Sequence, residues 1–212
     1  MDSQYIDFTT SINEDKIKQL ANDLASGDIG IFPTDTVYGI GCNVFSEKSI
    51  SKLFKLKNRI SSKPITVLIS NLQMLDELAI DITDIEYKLI EAFWPGPLTI
   101  IFHKNPKVSE VLTSNLNTIG IRMPNHIVTQ KLIEYSKNPI ATSSANISDM
   151  PAATNLSDIS EYFNGNVDFM IDNGPSPIGV ASTIVKVENN SLHILRQGSI
   201  SEDMINKVLE RS

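Results

Sequence analysis

The stretch Ser182-Thr183-Ile184-Val185-Lys186-Val187-Glu188-Asn189-Asn190-Ser191-Leu192-His193-Ile194-Leu195-Arg196 decides the fold class. Two apolar-rich runs of strand character, 182–188 and 191–196, flank Glu188-Asn189-Asn190, the pattern of an antiparallel hairpin. A hairpin here excludes a strictly parallel, doubly wound sheet. The upstream strands also fail to alternate cleanly with helices, so we expect an α/β chain (α+β-like in character) with a twisted, mixed sheet flanked by helices.

Working outward, the preceding elements fit that frame. Asn13 ahead of Glu14-Asp15 and the apolar positions Ile17, Leu20, Ala21 and Leu24 predict a capped amphipathic helix closed by Gly27. Ile29 to Pro33 predicts a strand running into the loop Thr34-Asp35-Thr36-Val37-Tyr38-Gly39. A helix over 47–57 and a β-branched strand over 65–69 follow. Further helices are expected over 71–79, 84–93, 126–137, 155–163 and 201–210, with strands over 98–102, 118–124, 139–142 and 167–171. Trp94-Pro95-Gly96-Pro97 reads as a rigid corner whose tryptophan fills core. No repeat, low-complexity tract or linker divides the chain, so residues 1–212 are expected to form one domain, with no additional C-terminal domain.

Composition narrows the function classes. The chain has 212 residues, 41% hydrophobic and 20% charged, and no apolar run long enough for a membrane span. Its start lacks a signal-peptide pattern, and the single Cys42 cannot form an internal disulfide. Both lead us to expect a cytoplasmic protein. His103, His126 and His193 are scattered and carry no metal-ligand spacing, so no metal site is expected. The net charge of -7 argues against a general nucleic-acid coat. Yet Lys48, Lys52, Lys55, Lys57, Arg59 and Lys63 fall in sixteen residues without an acid, which points to a local anion site or to a solvated basic helix face.

Strand ends collect the groups that could do chemistry: Thr34, Asp35, Thr36, Arg122, Thr142, Ser144, Asn146, Ser182, Thr183 and Arg196. Hydroxyls and amides donate and accept, and guanidinium clamps phosphate or carboxylate with two parallel bonds. Each piece has a plainer reading: Thr34 to Thr36 as a turn, Arg122 as a surface side chain, Ser144 to Asn146 as a helix cap. No G-x-S-x-G elbow, Walker loop or G-x-G-x-x-G fingerprint is present. A bound nucleotide would therefore be held by scattered strand-end groups.

Seven motifs in register make the chain resemble the YrdC-like threonylcarbamoyl-AMP synthases over about residues 14–198. They are Phe32-Pro33-Thr34-Asp35-Thr36-Val37-Tyr38-Gly39, Lys57-Asn58-Arg59 with Lys63-Pro64, Trp94-Pro95-Gly96-Pro97-Leu98-Thr99, and Ile121-Arg122-Met123-Pro124. The remaining three are Ser143-Ser144-Ala145-Asn146, Ser182-Thr183-Ile184-Val185 and Leu195-Arg196-Gln197-Gly198. The resemblance implies a twisted sheet around a large, positively charged concave cavity. It also implies a nucleotidyltransferase that joins L-threonine, bicarbonate and ATP into threonylcarbamoyladenylate and pyrophosphate. Downstream threonylcarbamoyl-transfer machinery would then modify tRNAs reading codons that begin with A.

The family's catalytic set maps onto Lys57, Arg59, Ser144 and Asn146. ATP would meet Arg59, Lys63, Thr118, Ser144, Ala152 and Arg196, while threonine would meet Thr36, Arg122, Thr142 and Ser182, with Arg122 on its carboxylate. Mg²⁺ is expected on the nucleotide and not in a protein cage. Asp35 is a candidate for the carbamate-forming step, and a weak tRNA contact is conceivable. Two positions depart from the family: Asp149 stands where glycine is common, and Leu68 where some members carry histidine. The competing reading is a non-catalytic RNA-binding or ribosome-maturation protein using the same basic hollow.

Overall fold

Thr118–Arg122 shows how the sheet divides the molecule. Successive strand residues face opposite ways. Ile119 and Ile121 are accordingly sealed in the core, while Thr118, Gly120 and Arg122 share the other face. The computed structural model that displays this describes residues 2–57, 65–146 and 150–210.

Its elements in chain order are β1 (Gln4–Asp7), α1 (Glu14–Ser26), β2 (Gly30–Phe32), β3 (Gly39–Asn43), α2 (Glu47–Leu56), β4 (Thr66–Leu68), α3 (Leu72–Leu78), β5 (Ala79–Ile80), α4 (Asp84–Phe93) and β6 (Leu98–Lys104). Then come α5 (Glu110–Thr113), β7 (Thr118–Arg122), α6 (Ile127–Ser136), β8 (Ile140–Ser144), α7 (Ser160–Phe163), β9 (Phe169–Asp172), β10 (Thr183–Glu188), β11 (Ser191–Arg196) and α8 (Glu202–Glu210). The strands form one sheet in the order β1-β9-β2-β3-β8-β4-β7-β6-β10-β11, with β5 beside β6.

The sheet is mixed, as the hairpin requires. β10 pairs antiparallel with β11 and parallel with β6. Asn189 and Asn190 hold φ of 51° and 58°, the left-handed pair of a two-residue turn that matches strand twist. α1 starts on the Asn13 side chain, which accepts from the Lys16 N–H, and stops at Gly27 with φ 117°. Trp94 is buried and its indole N–H donates to the Leu98 carbonyl at 2.7 Å, so the Trp94 to Pro97 corner is structural as expected. No helix among the described residues is long and apolar enough to cross a membrane.

β1, β3, β5 and α5 are not predicted by the sequence, and one expected helix needs correction. β3, a central strand between β2 and β8, was not foreseen, because glycine is depleted in strands. Its glycines answer a tertiary demand: a Cβ on Gly41 would lie 2.7 Å from the Ala141 carbonyl oxygen and 3.1 Å from the Phe32 ring. β1 was also missed, since only Ile6 of its four residues is buried and no alternation shows. The helix expected over 155–163 is a 3₁₀ turn, Leu156–Asp158, followed by the short α7. Asn155 and Asp158 satisfy each other's backbone N–H groups there, which favours a capped turn over a continuous helix.

Candidate functional site

Alternation also builds the site. Ile40, Cys42, Val67, Ala141, Ile119, Ile121 and Ile100 turn into the core, all 1% exposed or less. The register places Gly39 beside Ser144, Thr142 beside Thr66 and Leu68 beside Arg122, so these residues share the opposite face. They wall a hollow of about 630 Å³, open mouth included, together with Thr34, Thr36, Tyr38, Ser143, Ala181, Ser182 and Arg196. Small and polar residues on one face of a central sheet leave room that helices fill elsewhere.

Arg122 is the best-held cation in the wall. Its Nη2 pairs with Asp35 Oδ1, its Nη1 donates to Thr36 Oγ1 at 2.7 Å, and its Nε donates to the Gly96 carbonyl at 3.1 Å. Both members of the ion pair are buried, at 6% and 4% side-chain exposure. Burial pulls the Arg122 pKa down and Asp35 pushes it back up, which keeps a cation there. Of the five guanidinium N–H groups, these bonds use three, so two remain for a ligand. Arg122 is thus no surface arginine. Asp35 is not among the residues lining the hollow, and its Oδ1 holds Arg122.

On the neighbouring strands, Arg196 Nε and Nη2 donate to the Ser182 carbonyl at 3.0 and 2.8 Å, and Nη2 also donates to Ser182 Oγ at 3.0 Å. Ser182 Oγ lies 2.8 Å from Thr99 Oγ1, and Thr99 stands beside Ile184 in the sheet. Desolvation lowers the Arg196 pKa.

A third group stands on the β3–β8 side. Lys57, the C-cap of α2, donates from Nζ to the Asn146 carbonyl and Oδ1 at 2.8 and 2.7 Å, and Ser144 Oγ donates to the same Oδ1 at 2.9 Å. Ser144 closes β8, so it does not cap a helix. Backbone bonds fix this corner: Ala145 N–H donates to the Tyr38 carbonyl, Tyr38 N–H to Ala153, and Ala153 N–H to Ala145. The 34–38 loop and the segment around Ala145 are therefore one laced unit.

Of the residues singled out in the sequence, Thr36, Arg122, Thr142, Ser144, Ser182 and Arg196 line one hollow, and Lys57 and Asn146 join it through Ser144. Thr118 lies on the same face but four residues along β7 from Arg122, roughly 13 Å away at about 3.3 Å per residue. Ala152 lines a separate hollow with Met150, Pro151 and Thr154. Arg59, Lys63 and Asp149 lie outside the described residues. Leu68 gives the wall an apolar patch. Sequence reasoning missed Thr66, the Gly96 carbonyl and the supporting role of Thr99. The signal for Thr66 was its parity with Leu68 in β4. For the Gly96 carbonyl, which binds through the backbone, no signal existed.

The sequence pattern that defines the Sua5_yciO_yrdC family, described as Telomere recombination, matches residues 22–198. The threonylcarbamoyl-AMP synthase of Pyrococcus abyssi (strain GE5 / Orsay) is 38% identical over 198 residues, covering 93% of this chain and 58% of that protein. The threonylcarbamoyl-AMP synthase of Bacillus subtilis (strain 168) is 34% identical over 208 residues, covering 97% of this chain and 60% of that protein. A crystal structure of P. abyssi Sua5 complexed with L-threonine superposes with a TM-score of 0.94 at 37% identity, over 98% of this chain and 61% of that one. The chain thus spans about three fifths of the length of these relatives.

Proposed function

The chain belongs to the Sua5/YciO/YrdC family, and on that premise we propose that it forms L-threonylcarbamoyladenylate and pyrophosphate from L-threonine, bicarbonate and ATP. Two relatives named threonylcarbamoyl-AMP synthase and a fold neighbour named as a complex with L-threonine support the reading. The observation that carries it is local: a lysine, serine and asparagine network and an arginine–hydroxyl wall converge on one hollow. An adenylating enzyme for an amino-acid derivative needs both within one ligand's length.

In this reading Arg122 takes the threonine carboxylate with its two remaining N–H groups, and Thr36, Thr142 and Ser182 bind the rest of the amino acid. Lys57, Ser144, Asn146 and Arg59 face the nucleotide phosphates, with Lys63, Thr118, Ala152 and Arg196 as further ATP contacts. Threonine's neutral amine adds to the carbon of bicarbonate, the C–OH bond breaks, and the amine proton leaves with that hydroxide as water, which gives a carbamate. A carbamate oxygen then attacks the α-phosphorus, the bond to the β-phosphate oxygen breaks, and pyrophosphate leaves. Two anions meet in that step, so the cations lower the barrier where charge accumulates.

Mg²⁺ would supply further charge neutralisation on the phosphates. Among the described residues no group of three or more His, Cys, Asp or Glu side chains could hold it, and Asp35 is engaged by Arg122, so nucleotide-borne Mg²⁺ fits these residues best. The adenylate would pass to threonylcarbamoyl-transfer enzymes acting on tRNA, which sets the work in the cytoplasm. A non-catalytic RNA-binding role is the less favoured reading at a net charge of -7. The test is pyrophosphate release with threonine, bicarbonate and ATP, each omitted in turn. The proposal expects release to need all three, and release indifferent to threonine would overturn it.

A further inference from the structure

His126 takes no part in the chemistry above, yet it stands behind the Arg122 clamp. It precedes α6 as its N-cap residue, and its side chain makes no capping bond. The first turn of α6 is fastened to the loop that carries Asp35, since Thr129 Oγ1 donates to the Pro33 carbonyl. Gln130 Nε2 also holds the Pro124 carbonyl at 2.9 Å, which fixes the approach to His126 from β7. The backbone segment that carries the imidazole is therefore tied to the one that carries the carboxylate gripping Arg122.

Two buried polar atoms on the segments that the Thr129 bond ties together have no hydrogen-bond partner among the described residues: Asp35 Oδ2 and His126 Nδ1. One is an acceptor only, and the other becomes a donor in one imidazole tautomer. Asp35 itself is 3% exposed, so its second oxygen cannot turn to bulk water. Buried acceptors of this kind are rarely left unsatisfied in folded proteins. Desolvation pulls the His126 pKa below its ordinary value, and the Asp35 charge opposes that shift. A neutral ring carries a single N–H, so the identity of the protonated nitrogen matters.

We propose that His126 is a positioning residue for amino-acid recognition: its Nδ1–H donates to Asp35 Oδ2 when substrate is bound, completing a chain from His126 through Asp35 to Arg122. Asp35 then has both oxygens fixed, Oδ1 by Arg122 and Oδ2 by His126. Arg122 is thereby locked in the orientation that leaves its two remaining N–H groups toward the hollow. Losing the histidine donor frees Asp35 to rotate and lets Arg122 follow, which weakens carboxylate binding and leaves the phosphate side untouched. This inference rests on the threonine-dependent reading of the site.

The test uses His126→Asn, His126→Gln and His126→Ala in the full chain. Asparagine places its amide nitrogen near the position of Nδ1, whereas glutamine places it near Nε2. Steady-state kinetics with threonine as the varied substrate, calorimetric titration with L-threonine, and thermal melting are measured for each. We expect the alanine and glutamine variants to show a threonine KM and Kd raised about tenfold, with kcat and the ATP KM changed less than twofold. The asparagine variant should return threonine KM to within about threefold of the parent. Equal behaviour of asparagine and glutamine, or a KM that tracks the melting temperature across all three, would overturn the proposal. So would an unchanged KM in the alanine variant. If the parent chain itself binds no threonine and releases no pyrophosphate, the functional reading fails instead, and the two failures are separable.

Discussion

Asp35→Asn is the perturbation that probes the site's construction most sharply. In the parent, Arg122 and Asp35 form an ion pair with 6% and 4% side-chain exposure, 87 residues apart in sequence. Removing the negative charge leaves a guanidinium in a site that water barely reaches. Breaking one side of such a pair costs about 3–5 kcal/mol. Asparagine keeps an amide oxygen that can accept one bond from Nη2, so the lower end, about 3 kcal/mol, is expected. For a chain of this size each kcal/mol moves the melting point by about 2–4 °C, which gives a fall of about 6–12 °C. The loss should be coupled to Arg122. Arg122→Met strands the Asp35 carboxylate, and the double variant Asp35→Asn/Arg122→Met removes both charges. Chemical denaturation of the four proteins should show the double variant less destabilised than the sum of the singles by at least about 1 kcal/mol. Additivity within about 0.3 kcal/mol, or a single-variant loss under about 1 kcal/mol, would refute the claim that the pair is a buried unit.

Lys57→Ala should lower the rate of threonine- and bicarbonate-dependent pyrophosphate release by about 10²–10³, the scale of losing one transition-state donor, with an unchanged melting curve. Undiminished turnover refutes its phosphate role. Ser182→Ala deletes a hydroxyl that bridges Arg196 and Thr99, and a neutral hydrogen bond is worth about 1 kcal/mol, so the threonine KM should rise about fivefold. A KM equal to the parent's counts against that contact. His126 also has a pH signature. Its folded pKa lies below the unfolded value near 6.5, so the unfolded chain takes up its proton first as pH falls. Stability from this residue is complete above about pH 6.5 and is lost below it, at a slope of up to about 1.4 kcal/mol per pH unit. Urea denaturation between pH 7.5 and 5.5 should therefore steepen in the parent relative to His126→Asn, and parallel curves would contradict the burial argument.

What could be read from the sequence follows physical lines. The hairpin at Asn189-Asn190 was legible because turn chemistry is local, and it settled the mixed sheet. The helix over Glu14–Ser26 was legible for the same reason, with its Asn13 start and Gly27 stop. β3 was not, because Gly39 and Gly41 are chosen by Phe32, Ala141 and Thr142, which lie up to about 100 residues away. At the site, residue types at strand ends announced Arg122, Ser144 and Ser182. The pairing of Asp35 with Arg122 was not legible, because a carboxylate in a turn looks alike whether it meets substrate or an arginine 87 positions later. Ala152 came from family likeness alone, and it sits in a neighbouring hollow.

The most direct measurement is mass spectrometry of the nucleotide products after incubation with L-threonine, ATP, Mg²⁺ and bicarbonate labelled at carbon. The account predicts an adenylate that carries both threonine and the labelled carbon, formed together with pyrophosphate and at a rate about 10²–10³ lower when Lys57 is alanine. ATP left intact, or an adenylate lacking the label, would contradict it.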